Sequence, residues 1–256
     1  MSRQIFVNLP IADMARSKAF FGALGFSFNP QFTNDQGACM VIDENIFAML
    51  LVKPFFRTFI DTEIADARET TEVLVCLSCK SREEVDELVR KAVAAGGKPH
   101  RQPRSAGALQ ENRHRVKGVD MARQIFVNLP IADMKRSRAF FEALGFTFNP
   151  QFTNDQGACM VIADGIHAML LVKPFFQTFI DTDIADATKT TEVLTCLSCS
   201  SRGEVDELVK KAVAAGGRAH RKPQDHGFMY GHGFVDPDGH IWELVYMDPN
   251  AAPPQA

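Results

Sequence analysis

The feature that most constrains this 256-residue chain is an internal repeat: residues 3–103 align without a gap on 123–223, at a constant offset of 120. Of those 101 positions 82 are identical, including the runs RQIFVNLPIADM, FNPQFTNDQGACMVI and AMLLVKPFF. A unit this long is a duplicated domain, not a solenoid repeat. The differences fall mainly at polar positions, such as Ala15 against Lys135 and Arg57 against Gln177.

The match stops after Pro103. The first copy continues for seventeen residues, RSAGALQENRHRVKGVD, with mixed charge and little periodicity. The second continues QDHGFMYGHGFVDPDGHIWELVYMDPN and ends in a Pro-rich tail. Met121 in MARQIF matches Met1 in MSRQIF, as though a truncated copy had been joined to a complete one at a former start codon. The alternative is an evolved tether, its basic cluster Arg113, Arg115 and Lys117 simply solvated. Either way the chain divides into a truncated copy (1–103), a linker (104–122), a complete copy (123–249) and a tail (250–256).

Within each copy the periodicity is readable. QIFVNLPI alternates as a strand, and Asp13 caps a helix whose Met14, Phe20, Phe21 and Leu24 recur at helical spacing before Gly25 stops it. Two strands flank the turn at Asp35-Gln36-Gly37, and IFAMLLV forms another. A second round opens with the strand EVLVCLSC and a helix boxed by Ser81 and Glu84, with Val85, Leu88, Val89, Ala92 and Val93 inward. The second copy alone finishes that round, with HGFMYGHGF and HIWELVYM joined by the DPDG turn. A complete copy therefore reads βαβββ twice, an α+β arrangement, and the first copy lacks its last two strands. That leaves an open sheet edge for the linker, the second copy or another chain to cover; a homodimer through the incomplete copy is one expectation.

Composition removes several function classes. A net charge of −3 gives no electrostatic case for nucleic acid, and no run approaches the ~18 apolar residues of a membrane span. MSRQIFVNLP enters a strand directly, without the apolar core of a signal peptide, so a cytoplasmic location is expected. The two CLSC motifs resemble redox or zinc pairs. Strand residues three apart point to opposite faces, however, so Cys76 with Cys79, and Cys196 with Cys199, are read as small thiols without chemistry.

A duplicated βαβββ unit that opens VNLPIADMxRSxAFFxALGF and ends FVDPDGHIWEL resembles the vicinal oxygen chelate superfamily, which includes glyoxalases, bleomycin-resistance proteins and extradiol dioxygenases. The resemblance covers 123–249 fully and 3–103 in part. It implies paired βαβββ modules whose curved sheets enclose a cleft, and in enzymes a divalent metal held from four strand positions. Those positions fall here on Phe6 or Phe126, on Leu50 or Leu51 (Leu170 or Leu171 in the second copy), on Leu74 or Leu194, and on Glu243. Phenylalanine and leucine have no lone pair to donate, so the usual metal site is not expected.

Glu243 shares a strand face with Ile241 and Val245, while His226, Phe228, Tyr230, His232 and Phe234 share a face of the preceding strand. If that second face is the concave one, Glu243, His232, His226 and Tyr230 converge as a catalytic group, with Phe126, Asn128, Met160, Leu194 and Phe228 lining the ligand. A non-standard divalent metal on Glu243 with His226 or His232 is the remaining cofactor option. His226 and His232 on the outer face, with Asn8 and Asn128 as structural hydrogen-bonders, is the plainer alternative. His167 and His240 are read as exposed, and the Phe55, Phe56, Phe59 group with its repeat as core. Any activity would belong to the second copy. Three functions follow: a glyoxalase- or dioxygenase-like enzyme on a small oxygenated molecule, a metal-free protein sequestering an aromatic or antibiotic-like ligand, and a scaffold with a decayed first copy.

Overall fold

The structure, a computed structural model, describes residues 3–100 and 122–251; the linker and tail assigned from sequence lie almost wholly outside them. Module 1 consists of β1 (Ile5–Ile11), α1 (Met14–Ala23), β2 (Ser27–Thr33), β3 (Gly37–Asp43) and β4 (Ile46–Val52). Module 2 is represented by β5 (Leu74–Leu77) and α2 (Arg82–Ala94). Module 3 repeats module 1 as β6 (Ile125–Ile131), α3 (Met134–Leu144), β7 (Thr147–Asn149), β8 (Gly157–Ala163) and β9 (Ile166–Val172). Module 4 is complete, with β10 (Leu194–Ser198), α4 (Arg202–Ala214), β11 (Met229–Val235) and β12 (Ile241–Met247).

The helix starts follow from their caps. The Asp13 and Asp133 carboxylates accept from the N–H of Arg16 and Arg136, and Ser81 and Ser201 accept from Glu84 and Glu204. In the last two pairs the glutamate reaches back to the N–H of Lys80 and Ser200.

The sheets do not respect the repeat. β1 of the first copy pairs antiparallel with β10 of the second, Ile5 opposite Leu197 and Asn8 opposite Leu194. The result is a nine-stranded sheet running from the short strand Arg218–Ala219 through β11, β12, β10, β1, β4 and β3 to β2, with the short strand Gln224–Asp225 also paired to β11. On the other side β6 of the second copy pairs with β5 of the first, giving the five-stranded order β5-β6-β9-β8-β7. Modules 1 and 4 thus build one sheet, and modules 3 and 2 the other. The connectors cross as well: Thr190–Thr191 pairs with Glu63–Ile64, and Asp183–Ile184 with Thr70–Thr71.

Strand alternation sends Ile5, Val7, Ile125, Val127 and Leu129 to the core and Phe6, Asn8 and Phe126 to the opposite face. The helices α3 and α4 lie between modules 3 and 4. Phe140 meets Phe234, Phe141 meets Trp242 edge-on, and Val205, Leu208, Val209 and Ala212 complete the layer. Each such side chain contributes about 1.5–3 kcal/mol by leaving water. In the first copy the equivalent layer has no counterpart of Phe234 or Trp242 among the described residues. Val85 is 45% exposed where Val205 is 0%, and Val89 is 44% exposed where Val209 is 4%.

Candidate functional site: a cleft face shared by both copies

On the cleft face of the nine-stranded sheet a single row runs across both copies. Gly233 on β11 lies opposite Glu243 on β12, Glu243 beside Cys196 on β10, Cys196 opposite Phe6 on β1, and Phe6 beside Phe47 on β4. The Phe6 and Phe47 rings stack with centroids 5.0 Å apart and planes 14° from parallel. One end of the face is closed by an apolar plug. Leu194, Val235 and Ile241 pack there against Leu51, Phe56 and Ile60, the last two from the connector after β4. That connector is held by module 4: His220 Nε2 lies 2.8 Å from the Phe59 carbonyl oxygen, and Arg221 bonds the Thr58 carbonyl and Asp61. Phe56 is therefore core, as its apolar spacing suggested.

Glu243 is half-buried, and no hydrogen-bond or ion-pair partner for it is seen among the described residues. Burial pushes its carboxyl up to about 7 against a small opposing pull from the Arg221 guanidinium. The neighbouring Cys196 thiol is held well above its ordinary value by burial, then by the Glu243 charge. Gly233 lets Glu243 lie close to β11: a Cβ there would meet the Trp242 carbonyl oxygen at 2.8 Å.

The structure separates the residues that sequence alone brought together. Glu243 is on the cleft face, but Tyr230 and His232 are on the other face of β11, against α4. The Tyr230 hydroxyl donates to Asp206 at 2.7 Å, and His232 Nδ1 is 3.8 Å from the same carboxylate. The reason is packing: the same face carries Phe234, which stacks on Trp242 in the core, so the glycines Gly231 and Gly233 turn to the cleft. His226 is exposed in the turn before β11, and Phe228 precedes the strand at the sheet end. A metal bridging Glu243 to His226 or His232 is thereby excluded by geometry.

Of the expected lining residues, Leu194 belongs to the plug of this face. Phe126 and Asn128 lie instead on the five-stranded sheet, where Phe126 stacks on His167 at 4.9 Å. His167 is thus part of a cleft face and not a simple surface substitution. Met160 is fully buried in the helix-side core and lines neither face. Asn128 Nδ2 donates to the carbonyls of Leu74 and Phe126 at 2.7 and 3.1 Å, and Asn8 does the same to Leu194 and Phe6 at 3.0 and 3.3 Å. Both amides clip the strands that join the copies.

In the hairpin His240 was misjudged, and Asp238 does more than make the turn. His240, expected to be exposed, is 3% exposed, with Nδ1 3.1 Å from Glu72 Oε1 and Nε2 2.9 Å from the Pro130 carbonyl oxygen. Asp238, read as a turn residue, also accepts from Ala132 N–H, Arg136 and Ser137 Oγ, docking the hairpin on the start of α3. A cavity of about 1760 Å³ is an open groove elsewhere. Its charged walls include the pairs Arg3–Glu204 and Arg123–Glu84, and it contains none of the cleft row.

The fold and the repeats find counterparts among known proteins. A family model described as the N-terminal region of bleomycin resistance protein-like proteins matches residues 3–43 and again 123–163. Glyoxalase I from Zea mays is similar across 96% of this chain and 92% of its own, with a TM-score of 0.58 at 16% identity. The long match shows that the chain has the glyoxalase I fold, and the family model marks the opening of both copies. Two other similar solved structures cover about half of this chain. A hypothetical protein SA1046 from S. aureus is 31% identical over 47% of this chain and 90% of its own, TM-score 0.42. A glyoxalase-related enzyme from Fulvimarina pelagi is 24% identical over 47% and 85%, TM-score 0.42. No curated protein matches the sequence.

Superfamily enzymes suggest a divalent metal, and the donor set tests whether one fits. On the nine-stranded sheet the four positions are Phe6, Leu51, Leu194 and Glu243, since Leu50 turns into the core. One carboxylate cannot hold an ion that needs several ligands. Among the described residues no group of three or more His, Cys, Asp or Glu side chains is placed to do so. The residues present do not fit the superfamily's metal.

Proposed function

We propose that this chain is a metal-independent binding protein of its superfamily, taking a small aromatic or otherwise apolar molecule on the cleft face of the nine-stranded sheet. The supporting observation is the placement of Glu243, a carboxyl between Gly233 and Cys196 on the row that leads to the stacked Phe6–Phe47 pair, with His226, Tyr230 and His232 turned elsewhere. Flat apolar walls recognise an aromatic ring by area, and one carboxyl anchors one polar substituent. A thermal-shift screen of small aromatic compounds, with and without divalent metals, tests this. Stabilisation independent of metal and weakened in Glu243→Gln is expected; stabilisation that requires metal would refute the reading.

A second reading rests on the same group. A carboxyl pushed up to about 7 gains and loses a proton near neutrality, which suits acid–base turnover of an oxygenated ligand. In that case product forms from the bound compound, and Glu243→Gln abolishes formation while leaving binding of the apolar part.

A further inference from the structure

We infer that His220, with Arg221 beside it, sets the size of molecule the cleft accepts, by pinning the first copy's connector as a wall next to Glu243. The inference rests on the binding site proposed above. The connector is the segment 53–62 that follows β4, and its Phe56 and Ile60 pack onto Leu194, Val235 and Ile241. Leu194 lies two residues along β10 from Cys196, and Ile241 two residues along β12 from Glu243, each on the same face as its partner. Same-face neighbours on a strand are roughly 7 Å apart. The wall therefore stands about one aromatic ring-width from the row that joins Glu243 to Phe6.

Contacts from one short segment of the second copy hold that wall. The His220 N–H donates to the Gly233 carbonyl at 2.9 Å, fixing the segment to the residue opposite Glu243. A Cβ on Gly233 would meet His220 Cβ at 3.5 Å, so the imidazole starts out on the cleft side of β11. It ends with Nε2 2.8 Å from the Phe59 carbonyl oxygen; a carbonyl can only accept, so Nε2–H donates. The Phe59 ring in turn meets Phe55 edge-on, centroids 5.0 Å apart, and both rings pack on the plug. Arg221 adds bonds to the Thr58 carbonyl and to Asp61. His220 is 8% exposed, and its burial lowers the imidazole's tendency to take a second proton. A buried neutral ring whose donor is spent on a main-chain carbonyl acts as a strut between the copies. The contact recurs on the other sheet, where His100 Nε2 lies 2.6 Å from the Phe179 carbonyl oxygen, but His100 is exposed.

Binding of phenol and of 2-naphthol to the full chain, followed by NMR titration, reads the position of the wall. Each carries one hydroxyl for the Glu243 carboxyl, and they differ by one fused ring. Wild type should bind 2-naphthol no more tightly than phenol, because the second ring meets Phe56 and Ile60 held in place. His220→Leu should favour 2-naphthol by about tenfold, the worth of the extra ring once it fits. Arg221→Met, at a more exposed position, should shift the ratio the same way and carries the test if His220→Leu fails to fold. His220→Gln keeps a donor for the Phe59 carbonyl and should restore the wild-type ratio. Amide exchange across 55–62 should quicken in His220→Leu and not in His220→Gln, with circular dichroism unchanged in both. An unchanged ratio, unchanged exchange or loss of both probes in folded His220→Leu overturns this inference alone. Wild type that binds neither probe overturns it together with the binding site beneath it.

Discussion

Glu72 and Glu192, equivalent residues 120 positions apart, exchange hydrogen bonds: the Oε2 of each accepts from the backbone N–H of the other at 2.6 Å. His240 adds a third member through Glu72 Oε1 and reaches the Pro130 carbonyl with its other nitrogen. With Glu72 in the connector of the first copy, Pro130 in module 3 and His240 in module 4, this buried cluster ties the pieces that the sheets exchange.

The cluster gives stability a defined pH dependence. Burial pulls His240 down, but Asp236 and Glu72 outweigh it and hold the imidazole near 9, against 6.5 in the unfolded chain. Its contribution is complete below pH 6.5 and is lost as pH rises through 9. Burial, then the Glu72 charge, raises Glu192 from 4.5 to about 7. A raised carboxyl acts in the same direction, its contribution fading as pH rises from about 4.5 to 7. The melting temperature should therefore fall from pH 6.5 to 9, the His240 part amounting to roughly 2–3 kcal/mol at neutrality. Melts of wild type and His240→Gln across that range provide the check: the variant should be less stable at pH 7 and nearly flat above it. A wild-type curve that rises with pH contradicts the assignment.

Asn8 and Asn128 should behave as joints and not as ligand groups. Each carries two carbonyl partners, one of them on the strand from the other copy. Replacing Asn8 by Ala should cost about 1–3 kcal/mol in denaturant unfolding, because the Leu194 carbonyl loses its side-chain partner. Unchanged stability with lost ligand affinity would instead make Asn8 part of the binding surface.

The repeat, the caps, the order of elements in the described modules and the sheet face on which Glu243 lies were all legible in the sequence. The exchange of modules was not, because modules 1 and 3 are so nearly identical that the residue pattern of β1 suits β5 and β10 equally. The inward face of β11 was misread for a related reason. Alternation groups Tyr230, His232 and Phe234 together but does not say which way the group turns; Phe234 on Trp242 decides it. His240 escaped notice because a DPDG turn is ordinarily at the surface. Here Gly239, at φ +102°, fits so closely against Ala187 and Thr188 that the turn itself is buried.

That exchange also changes where any activity resides. Glu243 belongs to the second copy, but the aromatic pair across the row from it, Phe6 and Phe47, belongs to the first. The truncated copy is therefore half of the candidate site and not merely a partner for folding.

Titration calorimetry of an aromatic compound from the thermal-shift screen into wild type, Phe6→Ala and Phe126→Ala tests this most directly. Phe6→Ala should weaken binding about tenfold or more, at least ~1.4 kcal/mol, while Phe126→Ala, at the equivalent position of the other sheet, leaves it unchanged. Binding lost in Phe126→Ala and retained in Phe6→Ala would contradict a site built jointly by the first and fourth modules.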